Sequence, residues 1–130
     1  MYRVRRHDDR IEVDIEDETP EAVFREAIVA LGDEITEQRG GEPLAHPVDR
    51  TATDLSTLLR DLLDELLRLE NDDLFVTERA TRLAIAGTSV HAVVGGQRLP
   101  HDGTIASIDQ VEVSQAEDAT WHARLVLSLR

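Results

Sequence analysis

The stretch Asp54-Leu55-Ser56-Thr57-Leu58-Leu59-Arg60-Asp61-Leu62-Leu63-Asp64-Glu65-Leu66-Leu67 constrains this chain more than any other. At 3.6 residues per turn, Leu55, Leu58, Leu59, Leu62, Leu66 and Leu69 fall on one side of a helix, and Leu63 and Leu67 widen that side. Ser56, Arg60, Asp61, Asp64 and Arg68 fall opposite. The spacing predicts a helix from about Asp54 to Glu70 whose leucine face must be buried against a sheet or another helix. Its leucine pairs span too few heptads for a coiled coil, so the face belongs to a core. Aromatic residues are only 3% of the chain, so that core is built from Leu, Val, Ile and Ala.

The rest of the chain supplies partners for this helix. Ile11, Val13 and Ile15 alternate with Glu12, Asp14 and Glu16, which reads as a strand over 10–16 with one buried face. Thr19 is a good N-cap, Pro20 suits the first helical position and Glu21 suits the positive helix end. Phe24, Ala27, Ile28, Leu31 and Ile35 then mark one helical face, which Gly40-Gly41 ends. Residues 44–52 follow Pro43 and contain Pro47, and so read as an edge strand. Asn71-Asp72-Asp73 reads as a turn, and Leu74-Phe75-Val76 opens a β-rich second half. Leu83 and Ile85 precede Gly87, and Val90, Ala92 and Val94 precede Gly95-Gly96, which reads as a turn. A strand lies within 105–113. In the last strand, Trp121, Ala123, Leu125, Leu127 and Leu129 form the apolar face. The expected fold is α+β, with two helices on one face of a mostly antiparallel sheet, in one domain spanning 1–130.

Composition excludes several chemistries. There is no cysteine, hence no disulfide, thiol nucleophile or Cys-bound zinc. All 14 basic residues are arginine, which removes lysine Schiff-base and P-loop chemistry. The net charge of −13, from 27 acidic and 14 basic side chains, repels phosphate backbones, so direct nucleic-acid binding is not expected. Such a surface suits a basic protein partner or a metal ion. No apolar run is long enough to span a membrane. The start, Met1-Tyr2-Arg3-Val4-Arg5-Arg6, is too polar for a secretory signal, and a cytoplasmic protein is the simplest reading. No nucleophile motif, phosphate-binding glycine loop, HExxH motif or EF-hand loop is present.

Several segments together resemble the archease family, the cofactor proteins of a tRNA-splicing RNA ligase. The leucine helix is the firmest match, through its Asp-two-Leu-Leu spacing followed by Leu63-Asp64-Glu65-Leu66-Leu67. Tyr2 and His7 stand where archeases begin with an aromatic residue and a histidine. Thr19-Pro20-Glu21-Ala22-Val23-Phe24 is similar to the family's first helix start, and Leu74-Phe75 to its step into the second half. Gly96-Gln97 with His101, then Val111-Glu112-Val113 and residues 121–127, resemble the remaining segments. The resemblance implies an α+β fold. It also implies a non-enzymatic role, in which the protein helps a GTP-dependent RNA ligase of tRNA splicing or RNA repair to become guanylylated or turn over.

The resemblance also implies a divalent metal, and there the chain departs from the family. The family's early histidine is followed by an alcohol, a small residue and a metal-binding aspartate. Here the run is His7-Asp8-Asp9-Arg10, with Arg10 at the ligand position and Asp9 one residue early. The family's late metal-binding aspartate is Ser128, and Thr104 stands for a family lysine.

Asp8, Asp9 and His7 remain the metal candidates, a donor set suited to Ca²⁺, Mg²⁺, Mn²⁺ or Zn²⁺. The alternative is a solvated strand entry. Asp17 or Glu18 could supply a missing charge or could favour the first helix's N-terminus. Asp54 either faces the metal from the second helix start or caps that helix. His101 and Asp17 are candidates for contact with the ligase partner; the alternative for His101 is an exposed turn residue. A chain that keeps the scaffold without the metal would instead be a non-catalytic interaction module.

Overall fold

The computed structural model describes residues 1–35, 40–100 and 105–130. His101 and Thr104 lie outside these residues. The element order is β1 (Tyr2–His7), β2 (Arg10–Asp17), α1 (Pro20–Ile35), β3 (Glu42–Thr51), α2 (Leu55–Asp73), β4 (Phe75–Ala86), β5 (Ser89–Arg98), β6 (Ile105–Gln115) and β7 (Trp121–Leu129). The fold is α+β, as the periodicity indicates. Its strands form two antiparallel sheets where one was expected: β1-β2-β7-β6 and β3-β5-β4. Both helices touch both sheets, α1 mainly through β4 and β2, and α2 through β6, β4 and β3.

Leu58, Leu59, Leu62, Leu63 and Leu66 are fully buried, so the leucine face of α2 is the centre of the core. Phe24, Ala27, Ile28 and Leu31 of α1 join it, as do Ile11, Val13 and Ile15 of β2 and Leu125 and Leu127 of β7. Both helix starts are capped by side chains. Thr19 Oγ1 accepts the Ala22 N–H at 3.1 Å and Asp54 Oδ1 accepts the Thr57 N–H at 2.7 Å. The edge position expected for residues 44–52 holds, because among the described residues β3 pairs only with β5.

Four local features differ from the sequence reading. Tyr2–His7 is a strand, pairing with β2 through a hairpin that turns at Asp8-Asp9. Residues 71–73 continue α2 instead of turning. The helix ends one residue later at Leu74, whose φ of 58° lets its N–H return to the Glu70 and Leu69 carbonyls. Arg68 supports this last turn by pairing with Asp72 four residues on, at 3.3 Å.

Gly95-Gly96 lies inside β5 and makes no turn. A Cβ at Gly96 would collide with the Val76 carbonyl oxygen and lie 2.8 Å from the Phe75 ring, so glycine here permits close strand approach. Finally, β4 and β6 are each interrupted by two register shifts. Each shift inserts a residue with no partner, the mark of a β-bulge.

Candidate functional site

The hairpin between β1 and β2 places the metal candidates at one end of the four-stranded sheet. His7 pairs with Arg10 across the hairpin, and Asp8 and Asp9 form its two-residue turn. All four are exposed and, with Glu12, line a shallow depression of about 350 Å³. His7 Nε2 lies 3.6 Å from Glu12 Oε2, and the Asp9 carbonyl accepts the Leu129 N–H at 2.8 Å. Among the described residues, no three His, Asp or Glu side chains are grouped as a metal ion requires.

What gathers at this end of the sheet is a different set of residues. Arg10 faces Ser128 across β2 and β7, and Ser128 faces Ser107 on β6. Asp109 falls between the pairs Ile108↔Leu127 and Gln110↔Val126, so it is the extra residue of a bulge. A bulge re-aims a side chain that regular pairing would leave elsewhere. The Asp109 carboxylate accepts from Ser107 Oγ at 2.6 Å on one oxygen and from Ser128 Oγ on the other. Arg60, on α2, donates Nη2 to the Asp109 carbonyl at 2.6 Å. The two serine hydrogen bonds, and then the charges of Arg10 and Arg60, hold the Asp109 carboxyl below its usual range. Chemically this is a carboxylate that accepts from a hydroxyl on each oxygen and lies near two guanidiniums.

The other candidates are not brought here. Asp17 closes the far end of β2, opposite Trp121. Seven residues of strand, at ~3.3 Å each, put it about 23 Å from Arg10. It accepts the Glu18 N–H at 2.7 Å and lies 3.6 Å from the Met1 ammonium. The Glu18 N–H is the first cause of its lowered pKa. Glu26 also pairs with that ammonium. Asp54 is the cap of α2, and its hydrogen bonds from Thr57 depress its carboxyl. His101 is outside the described residues.

Sequence reasoning missed Asp109 and Arg60, and also a cleft of about 510 Å³ on the outer face of the three-stranded sheet. Arg25, Asp49, Arg82, His91 and Val93 line it. His91 Nδ1 and Asp49 Oδ1 are 2.7 Å apart, directly opposite on β5 and β3. Arg25 donates to the Ala80 carbonyl at 3.0 Å, in the bulged part of β4. No hydroxyl is hydrogen-bonded to His91 among the described residues, so the pair lacks the nucleophile of a relay. No described helix is long and apolar enough to cross a membrane.

Comparison with known proteins agrees with the fold. A solution structure of Methanobacterium thermoautotrophicum protein 1598 superimposes with a TM-score of 0.66 at 17% identity, covering 98% of each chain. That likeness establishes the fold. No curated protein matches the sequence. A family model, described as the Archease protein family (MTH1598/TM1083), matches residues 2–128. With nearly the whole length matched by that model, the chain belongs to the archease family.

Proposed function

We propose that this protein is a non-enzymatic accessory factor that docks on a GTP-dependent RNA ligase of tRNA splicing or RNA repair and promotes its guanylylation or turnover. The observation that carries this reading is the family match over residues 2–128. The charge supports it: a protein of net charge −13 is repelled by RNA but attracted to the basic rim that an RNA-binding enzyme presents. Docking by complementary charge raises the association rate and falls off with salt.

In one version of this role the protein carries a divalent ion to the ligase on Asp8, Asp9 and His7. In the second it acts by contact alone, as an interaction module. The second is favoured by Arg10 and Ser128 at the departed positions, and by the two hydroxyls already bonded to the Asp109 carboxylate. The deciding experiment is a ligation assay with the RNA ligase encoded in the same genome, run at limiting enzyme with and without this protein. A rise in guanylylated ligase and in turnovers per ligase is expected. Unchanged turnover, with no co-elution of the two proteins at low salt, would sink the accessory role.

A further inference from the structure

The end of the four-stranded sheet gathers a carboxylate, two hydroxyls and two guanidiniums. The family's implied metal would sit among the residues that correspond to Arg10 and Ser128, and the described donors do not fit one. Of those two positions, one carries a fixed positive charge and the other a neutral hydroxyl. Asp109 is the carboxylate bonded to Ser128, and both its oxygens already accept from serine hydroxyls. A hard divalent ion takes six or more oxygen ligands, with carboxylates supplying the charge. Among the described residues Asp109 is the carboxylate bonded to Ser128, it stands near two guanidiniums, and Asp8, Asp9 and His7 do not join it in a group that could hold a metal ion.

We infer that in this chain arginine has replaced the metal: Arg10 and Arg60 supply the positive charge around Asp109, and the site is complete without a divalent ion. Three independent placements converge on this. The bulge in β6 turns Asp109 toward Ser128, the hairpin β1–β2 presents Arg10 opposite Ser128, and α2 brings Arg60 to the Asp109 backbone. Arg60 and Asp109 lie 49 residues apart in sequence, and no local spacing relates them. A guanidinium is always charged and needs no supply from solution, and Arg60 is held by its bond to the Asp109 carbonyl. The position where an ion-carrying relative would hold an exchangeable ion therefore carries fixed guanidinium charge in this protein, set among the carboxylates of Asp8, Asp9, Glu12 and Asp109. The inference rests on the family placement but not on the ligase role, and its test involves no ligase.

The test is a calorimetric titration of the EDTA-dialysed protein with Ca²⁺, Mg²⁺, Mn²⁺ and Zn²⁺ in turn, with thermal melts in EDTA and in each metal. The unmutated protein is expected to give no saturable heat and a melting midpoint constant within about a degree. The double variant Arg10→Asp/Ser128→Asp, checked for folding by circular dichroism, is expected to gain one-site binding and a metal-dependent rise in midpoint of ~3 °C or more. Arg10→Gln is expected to melt ~2 °C or more lower than the unmutated protein, in EDTA and in metal alike. Stoichiometric metal binding by the unmutated protein overturns the inference. So does a folded double variant that takes no metal. If the double variant does not fold, equal midpoints for Arg10→Gln and the unmutated protein overturn it instead.

Discussion

Ser56 and Val113 exchange two hydrogen bonds through one hydroxyl. Ser56 Oγ accepts the Val113 N–H at 2.8 Å and donates to the Val113 carbonyl at 3.4 Å. β6 is an edge strand, and this contact occupies backbone groups that an edge leaves open. Ser56→Ala would leave both half-buried and unpaired. The expected loss is about 1–2 kcal/mol in urea unfolding, seen as a lower midpoint at unchanged slope.

Gly32 marks where α1 presses on β4. A Cβ there would overlap the Thr77 carbonyl oxygen, and the obstacle is backbone that cannot swing away. Gly32→Ala is therefore expected to destabilise by about 2 kcal/mol or more, despite alanine's better helix propensity. A guanidinium chloride melt that shows a gain instead would mean that α1 can slide on the sheet.

Leu74 tests the opposite direction. It adopts φ of 58° at the C-cap of α2, is 38% exposed, and carries a conformation that glycine adopts freely. Leu74→Gly is expected to stabilise by about 0.5 kcal/mol, and Leu74→Val to destabilise by about 1 kcal/mol, because a β-branched side chain suits the left-handed region worst. Thermal melts of both variants would check the sign.

Glu65 ties α2 to β3 through Arg50, at 2.9 Å, and also pairs with Arg68. Arg68 hydrogen bonding lowers the Glu65 carboxyl most; burial opposes this, and the charges of Arg68 and Arg50 add to it. A carboxyl lower in the folded state binds fewer protons there. Its contribution is complete above the unfolded value of about 4.3 and is lost as pH falls through the folded one. Glu65→Gln is therefore expected to lower the melting midpoint at pH 7 but to shallow its decline below about pH 4.3. Parallel curves for the two proteins would contradict this.

The parts of the fold that were legible in the sequence are those with regular periodicity. Leu58 through Leu66 declared α2 at 3.6 residues per turn, and Ile11, Val13 and Ile15 declared β2 at two. What escaped was irregular or non-local. The buried residues of β6 are Ile105, Ile108 and Val111, three apart, because each bulge adds a residue between inward-facing positions. Thr77, Ala80 and Leu83 in β4 show the same spacing. Apolar residues three apart within a strand-like segment were the available sign of bulges, and hence of a re-aimed Asp109. Arg60 had no such sign, since it lies on the polar side of a helix and its partner depends on which strand lies beside it. The division into two sheets was equally hidden, because it follows from pairing order and not from the content of any one strand.

The pairing of β2 with β7 joins residues 10–17 to residues 121–128. As the chain leaves the ribosome, the hairpin β1–β2 is made before β7 and then waits, with the β2 edge bare, until residues 121–128 appear. The sheet β3-β5-β4, confined to residues 42–98, can close long before that. Contacts of such separation raise the contact order and slow folding. Synthesis therefore leaves a window in which Ile11, Val13 and Ile15 are exposed beside an open strand edge. Aggregation of nascent chains is expected to be worst there, and the alternating Glu12, Asp14 and Glu16 guard that edge by repulsion until β7 arrives.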